Sequence, residues 1–285
     1  MRKYIAPTIL SIVILIFFNA CDKVQPPYMN KITIDSSSTK RVLCEEGTAT
    51  WCTNCTKGIC SLEKMIDQYP DNFIPIAIHF EDPMSVDGYV ADFTSFADIQ
   101  GIPCSVIDRN LPKNETDYED ILTAYSTAIN TIPPVDMKIM NISWNSSNRV
   151  LTYTVSAEVI AEFNGDYRFN SVLTEDSVHG TTSDWDQANS YGGGVLEMCG
   201  FENLATTIPA ADMYYNHVAR HIFDGWDGIS GSIPATNTIG TTLTKTYTYT
   251  LPVGWNADKV NAIGFIINKT DGTVVNACQA VHVGK

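Results

Sequence analysis

Two cysteines, Cys52 and Cys55, are separated by two residues in the segment Trp-Cys-Thr-Asn-Cys at residues 51–55. A short apolar run, residues 41–44, precedes this segment, and residues 59–66 follow it with the apolar spacing of a helix. At this spacing the two sulfurs lie one helical turn apart, so they can close and reopen a small disulfide ring. Backbone N–H groups and the macrodipole at a helix N-terminus stabilise a thiolate. The pattern predicts thiol-disulfide exchange, with Cys52 as the attacking thiolate and Cys55 as the resolving thiol.

A proline, Pro103, stands at the mouth of a β-branched run at residues 101–107. In the thioredoxin fold a cis-proline loop lies against the Cys-x-x-Cys turn and offers backbone to a substrate strand, and this chain looks similar. The resemblance implies that Pro103 shapes a substrate groove and follows a cis bond. Glu46, six residues before Cys52, falls where thioredoxins carry a buried acid that relays protons to the second cysteine. Trp51, directly before the first cysteine, also favours exchange.

Two blocks of sequence, residues 42–58 and residues 215–220, extend the resemblance over most of the chain. They are similar to blocks in the Omp28-like outer-membrane lipoproteins of Bacteroidetes, in which a thioredoxin-like domain precedes a β-rich domain. This resemblance implies an architecture and an outer-membrane location more than a particular reaction. The chain departs from the family pattern at Cys44, where an aliphatic strand residue is expected, and at Cys104, where a residue without a thiol usually follows the proline.

The first twenty residues have the pattern of a lipoprotein signal peptide. Arg2 and Lys3 precede an apolar stretch, residues 4–18, and Asn-Ala-Cys follows at residues 19–21. The pattern predicts cleavage before Cys21, acylation of Cys21 and attachment to a membrane through the acyl chains. An ordinary signal peptide or an uncleaved anchor is the alternative.

The composition of the remaining chain predicts a tether and two domains. Residues 21–40 are polar and contain prolines, as expected for a lipidated tether. Residues 41–131 alternate strand and helix patterns and predict an α/β, thioredoxin-like domain. Residues 132–285 show the period-two alternation of strands and predict an all-β domain, an immunoglobulin-like β-sandwich. A less regular segment, residues 176–238, contains tryptophans that either pack inside the domain or form a ligand surface: Trp185 and Trp226.

The number of cysteines constrains their pairing. The chain has eight, and with Cys21 assigned to lipid an odd number remains. Cys199 and Cys278 are the only two in the predicted second domain, and an exported protein permits a structural disulfide between them. The other three are expected either to be buried or to accept disulfides from the active pair: Cys44, Cys60 and Cys104.

Other chemistries are poorly supported by the sequence. Four cysteines at residues 44–60 leave structural zinc open, but their spacing does not repeat Cys-x-x-Cys, so no metal site is predicted. No phosphate loop, serine-hydrolase elbow or zinc-protease helix is present, and no cofactor is predicted. A formal charge of −14 argues against nucleic acid as a partner.

The sequence therefore predicts an outer-membrane lipoprotein, facing the periplasm or the cell surface, that exchanges disulfides with exported proteins carrying thiols or disulfides. The alternative is a cell-surface binding or adhesion lipoprotein that recognises a surface ligand. In that case the Cys-x-x-Cys pair would be a static disulfide, because a fold alone does not establish an activity.

Overall fold

The computed structural model describes residues 40–110 and 117–284. The predicted signal peptide, the predicted lipid site at Cys21 and all but the last residue of the predicted tether lie outside these residues. None of the helices in the two described ranges has the length and hydropathy that crossing a bilayer requires.

The elements of the first half alternate between strand and helix, as predicted. They are β1 (Val42–Thr48), α1 (Cys55–Gln68), β2 (Phe73–His79), α2 (Asp87–Ala97), β3 (Cys104–Ile107) and α3 (Tyr118–Ile129). The second half consists of strands joined by loops and short 3-10 turns. Its strands are β4 (Val135–Asn145), β5 (Val150–Val159), β6 (Phe163–Asn164), β7 (Tyr167–Glu175), β8 (Gln187–Ala188), β9 (Thr207–Ile208), β10 (Val218–Ile222), β11 (Thr236–Asn237), β12 (Thr242–Thr250), β13 (Val260–Asn268) and β14 (Val274–Ala280).

A seven-stranded sheet crosses the boundary predicted between residues 131 and 132. Its strand order is β14-β13-β7-β10-β2-β1-β3. The junction is β10, which pairs parallel to β2 and antiparallel to β7. Strand β1 pairs with one edge of β2, and β10 forms hydrogen bonds with the other edge. Strands from both halves of the chain therefore belong to one sheet. The predicted boundary therefore separates segments of the chain but does not separate two sheets.

Helices cover both faces of the first half of this sheet. Every residue of β1 and β2 is buried, as expected for strands with both faces covered. Leu43 packs with Tyr89 and Phe93 of α2 in one core cluster. Side chains alternate between the two faces of a strand. Glu46 lies three residues after Leu43 in β1, so its side chain points to the opposite face, where it meets α1. Helix α1 in turn packs against α3.

A second, three-stranded sheet has the order β12-β5-β4 and packs against the C-terminal strands of the large sheet. The shared core contains Tyr153 and Val155 from β5 and Phe169, Ala262 and Ile266 from the large sheet. The residues of β12 alternate between buried and exposed, so one face of this sheet contacts the core and the other contacts solvent. The chain is thus a mixed α/β protein made mostly of sheet.

A long connection, residues 176–217, joins β7 to β10 of the large sheet. We call it the β7–β10 connection. It contains the two-stranded pair of β8 and β9 and three 3-10 turns. The connection folds back over α1 and the turn before it, and hydrogen bonds join it to both.

Candidate functional site

A disulfide joins Cys52 to Cys55 immediately after β1. Helix α1 begins at Cys55 rather than at Cys52, so Cys52 lies in the turn that leads into the helix. The backbone N–H of Cys55 donates to the carbonyl of Cys52 at 3.3 Å. Cys55 is fully buried, Cys52 is 6 % exposed and Trp51 is 53 % exposed. The first cysteine is therefore the more accessible of the two, as an attacking sulfur must be.

The loop before β3 lies against this turn. The peptide bond between Ile102 and Pro103 is cis, as the thioredoxin resemblance implies. The carbonyl oxygen of Ile102 is 3.6 Å from Sγ of Cys52. Pro103 also approaches α1, because a Cβ added at Gly58 would lie 3.0 Å from Cβ of Pro103. The structure thus brings together the predicted site residues of both segments.

Glu46 lies beneath α1 on the same side of the sheet. A Cβ at Gly58 would overlap Oε1 of Glu46, so Gly58 lets α1 pack directly against this carboxyl group. The carboxyl group is buried, and neither of its oxygens has a hydrogen-bond partner among the described residues. Burial raises the pKa of Glu46 well above its ordinary value, which favours the protonated acid. An acid of this kind can take up or release a proton close to the redox turn.

The preceding residue, Glu45, has a different environment on the opposite face of β1. Its carboxylate accepts hydrogen bonds from Nε and Nη2 of Arg109 at 2.8 and 2.9 Å. The hydroxyl of Tyr89 donates a third bond at 2.6 Å. The Arg109 guanidinium also stacks on Trp226, 3.4 Å from the ring centroid. Glu45 is thus a fully paired structural acid.

The β7–β10 connection contacts the redox turn through its backbone. The N–H of Ala188 donates to the carbonyl of Thr50 at 2.8 Å, and the N–H of Ser190 donates to the carbonyl of Thr53 at 2.7 Å. These bonds hold the connection alongside the turn on both sides of Cys52.

Two side chains of the connection add to this contact. The Gln187 amide is buried and donates to the carbonyl of Cys52 at 3.1 Å. The Thr56 hydroxyl in α1 donates to Oδ1 of Asn189 at 3.1 Å. Sequence reasoning missed Gln187 and Asn189, because polar residues in an irregular segment carry no periodic signal.

The second disulfide joins Cys60 of α1 to Cys199 of the connection. The predicted bridge between Cys199 and Cys278 is therefore wrong. Cys278 lies in β14 and is buried in the core between the two sheets, whereas Cys199 lies in the loop that folds back onto α1. The prediction paired cysteines by segment, but the β7–β10 connection belongs spatially to the first half of the chain.

Three buried cysteines lie outside the two disulfides: Cys44, Cys104 and Cys278. Burial and, to a smaller extent, the nearby Glu46 carboxylate raise the pKa of the Cys104 thiol to about 12. Burial likewise raises the pKa of the Cys278 thiol to about 12. Thiols that stay protonated are poor nucleophiles, so these two are unsuited to attack a disulfide.

The two tryptophans with open roles both pack within the protein. Trp185 lies 6.5 Å from Tyr215 between ring centroids. Trp226 contacts Phe96 of α2 as well as Arg109, with ring centroids 5.0 Å apart. Both residues therefore have the packing role that the sequence left as one of two alternatives.

An open groove of about 680 Å³ lies beside Trp51. The indole Nε1 donates to the carbonyl of Phe80 at 2.9 Å, which fixes the orientation of the ring at the groove edge. The groove is lined by residues of the redox turn, of the loop after β2 and of the β7–β10 connection: Thr50, Trp51, Glu81, Asp82, Pro83, Ser183, Asp184, Asp186, Ala188 and Thr207.

Solved structures similar to this one include HBP35 of Porphyromonas gingivalis, with a TM-score of 0.61 and 15 % identity over 87 % of this chain and 76 % of that chain. An Agrobacterium tumefaciens protein matches with a TM-score of 0.47 and 11 % identity over 88 % of this chain and 96 % of that chain. A domain of the outer membrane lipoprotein Omp28 from Porphyromonas gingivalis matches with a TM-score of 0.28 and 13 % identity over 53 % of this chain and 91 % of that chain. At these identities the HBP35 likeness shows a shared fold, and the two lower scores carry no argument.

The sequence comparisons address the C-terminal two thirds of the chain. No curated protein matches the sequence. The family model described as outer membrane protein Omp28 matches residues 91–285, a range that begins after the Cys-x-x-Cys turn and includes β3, the β7–β10 connection and the second sheet. The redox turn thus lies outside the matched range together with β1, α1 and β2, while β3 and all later elements lie inside. The chain belongs to the Omp28 family of outer membrane proteins.

Proposed function

We propose that this Omp28-family protein is an outer-membrane lipoprotein of the kind found in Bacteroidetes and that it exchanges disulfides with exported proteins. In this proposal a signal peptide is removed, acylated Cys21 anchors the chain, and the folded part faces the periplasm or the cell surface. Residues 41–131 supply the thioredoxin-like elements, and residues 132–285 supply the immunoglobulin-like β-sandwich. Cys52 attacks, Cys55 resolves, Pro103 shapes the path of the substrate strand at Cys52, and Trp51 lines the open groove.

The observation that carries the proposal is the combination of the Cys52–Cys55 disulfide with a buried acid, Glu46, that has no hydrogen-bond partner in the described part of the chain. Glu46 contacts the same helix that begins at Cys55. Its burial without a hydrogen-bond partner is destabilising, so a purely structural role does not explain it. Buried acids with raised pKa values cluster at sites of proton transfer.

The exchange can be written with its bonds and protons balanced. In the reduced protein, the Cys52 thiolate attacks a disulfide of the substrate, forms a mixed disulfide and releases one substrate thiolate, which takes a proton from solvent. Glu46, which must first have released its own proton, then takes the proton of Cys55, and the Cys55 thiolate attacks Sγ of Cys52. The Cys52–Cys55 bond forms, the bond between Cys52 and the substrate breaks, and the second substrate thiolate leaves and takes a proton from solvent. Two electrons pass from the protein to the substrate, and the reverse sequence oxidises a substrate dithiol.

The open groove beside Trp51 supports a polypeptide as the substrate. Its volume of about 680 Å³ accommodates several residues of an extended chain beside Trp51, the residue before Cys52. A surface-exposed Trp51 offers an aromatic face for such a segment.

A binding or adhesion function is the second candidate, and one feature of the structure favours it. The β7–β10 connection holds the turn through backbone bonds to Thr50 and Thr53 and through Gln187, and a static disulfide would benefit from the same support. In that case the groove beside Trp51 would recognise a surface ligand, and the disulfide would only brace its wall.

Trapping of the mixed disulfide separates the two functions. Cys55→Ala removes the resolving thiol, so covalent complexes with envelope proteins should accumulate on non-reducing gels through Cys52. Cys52→Ala and the double variant should trap nothing, and Cys278→Ala serves as a matched control for loss of a buried sulfur. If Cys55→Ala traps no partner while circular dichroism shows a folded protein, and the double variant keeps wild-type affinity for a surface ligand, the binding function replaces the exchange function.

A further inference from the structure

A small cavity beside Glu46 lies between β1, β2, α1 and the end of the β7–β10 connection. Its volume is about 30 Å³, and its wall includes Glu46 and Thr48 of β1, Ala77 of β2 and His217 at the end of the β7–β10 connection. Several buried polar atoms of this wall have no hydrogen-bond partner among the described residues: both carboxylate oxygens of Glu46, Oγ1 of Thr48 and Nδ1 of His217.

The volume and the lining suit water. A buried water molecule needs about 10–15 Å³ of such space and two to four polar partners. The cavity provides room for one or two molecules, and Glu46 and Thr48 provide partners that are otherwise unsatisfied. Buried polar groups are rarely left unpaired, so water at this position accounts for groups that the protein itself does not pair.

The other approaches to Glu46 are closed. Gly58 of α1 lies directly against Oε1 of Glu46, and Pro103 packs beside Gly58. The strands that flank β1 are β2 and β3, and their residues opposite Glu46 are buried. The cavity is therefore the remaining path by which a proton can enter or leave the carboxyl group.

His217 stands between the cavity and the surface. Its side chain is 19 % exposed, and its Nε2 lies 3.9 Å from Oε1 of the more exposed Glu63. The backbone of His217 is fixed on both sides, because its N–H donates to Asp176 at 2.8 Å and its carbonyl accepts from Ala77 at 2.9 Å. The imidazole therefore stays at this wall.

Six titratable groups face the cavity or His217 from the surrounding elements: Glu46 of β1, His79 of β2, Glu63 of α1, Asp176 after β7, and Tyr214 and Tyr215 before β10. Burial lowers the pKa of His217, although Asp176 and Glu63 oppose this effect. A neutral imidazole can accept a proton on one nitrogen and donate from the other.

We propose that water in this cavity and the His217 imidazole carry protons between Glu46 and solvent. The inference rests on the proposed exchange function, and it adds the route by which Glu46 releases the proton that it takes from Cys55. After Glu46 accepts the proton of Cys55, the proton leaves through the cavity and past His217 to bulk water. The electrons remain with the sulfurs, and the reverse reaction draws a proton inwards along the same path. The β7–β10 connection thus contributes His217 to the redox chemistry of the Cys52–Cys55 pair.

The route can be tested on the oxidised full chain, without any substrate. The protonated Glu46 carboxyl gives an infrared carbonyl band, which Glu46→Gln identifies by its loss. On transfer to D₂O, the shift of this band measures proton exchange at Glu46. Ala77→Val, which fills the cavity, and His217→Phe, which removes the imidazole, should each slow this shift at least tenfold. His221→Phe, on the next strand and away from the cavity, is the matched control.

Wild-type exchange rates in His217→Phe, or an equal slowing in His221→Phe, would overturn the proposed route. If Ala77→Val does not fold, His217→Phe alone decides the question. Because the oxidised protein is used, slow exchange in the two cavity variants supports the route even if Cys55→Ala traps no partner. Failure of the exchange function and failure of the route are therefore separate results.

Discussion

Glu45 and Glu46 are adjacent in β1, both are buried, and they differ in almost every other respect. Glu45 faces α2 and accepts three hydrogen bonds, two from Arg109 and one from Tyr89. Glu46 faces α1 and a cavity, and its carboxyl has no partner among the described residues. One strand therefore carries a charged acid that is neutralised by its surroundings and a second acid that burial keeps protonated.

The difference shows that burial alone does not identify a functional acid. A buried carboxylate with a bidentate arginine is part of the core, and removal of one member leaves the other charge without compensation. A buried acid without a partner has a raised pKa and can exchange protons with a neighbouring group. The position of Glu46 next to the helix of Cys55 makes that neighbour a thiol.

The largest expected effect is on the paired acid. Glu45→Ala leaves the Arg109 guanidinium buried without its counter-ion, so it should lower the free energy of unfolding by about 3–5 kcal/mol. Urea denaturation followed by circular dichroism measures the change. If Glu45→Ala lowers the free energy of unfolding by less than an average surface substitution does, Glu45 and Arg109 are not a stabilising ion pair.

A smaller loss is expected from the third hydrogen bond to Glu45. Tyr89→Phe keeps the ring in the core and removes only the hydroxyl, so it should cost about 1.5–3 kcal/mol, the usual range for a bond to a charged group. Tyr125→Phe is a suitable control, because the buried Tyr125 hydroxyl has no hydrogen-bond partner among the described residues. Equal costs in the two variants would contradict the assignment of a strong bond to Tyr89.

Substitution of Glu46 should increase the free energy of unfolding, whereas the substitutions of Glu45 and Tyr89 decrease it. The folded state raises the pKa of Glu46, so folding binds extra protons and wild-type stability falls as the pH rises above the ordinary value of 4.5. Glu46→Gln cannot lose a proton, so it should be more stable than wild type by about 1 kcal/mol or more at pH 8, with the difference disappearing below pH 4.5. Denaturation curves at both pH values test this, and a variant that is less stable at pH 8 would contradict it.

Local sequence patterns predicted the redox turn and many of the strands. The spacing of Cys52 and Cys55, the position of Pro103 and the apolar run of β2 each depend on neighbouring residues. Residues 145–148, Asn-Ser-Ser-Asn, have the composition of a tight turn and join the antiparallel strands β4 and β5. These features follow from backbone preferences that act over a few residues.

The parts that the sequence did not reveal depend on contacts between distant segments. The insertion of β10 beside β2 and the disulfide between Cys60 and Cys199 join residues more than 130 positions apart. The Gln187 amide contacts Cys52 from an irregular segment with no periodicity. Strand partners of this kind are selected by the packing of the whole sheet, so a single sequence carries little local trace of them.

The central claim is that the Cys52–Cys55 disulfide is a working redox couple, whereas the Cys60–Cys199 disulfide is structural. The reduction potential of each pair tests this directly, by equilibration of the full chain with glutathione and dithiothreitol buffers and mass spectrometry of alkylated peptides. The account predicts a potential above about −300 mV for Cys52–Cys55 and a lower one for Cys60–Cys199. A Cys52–Cys55 potential far below about −300 mV would mark a static bridge and contradict the account.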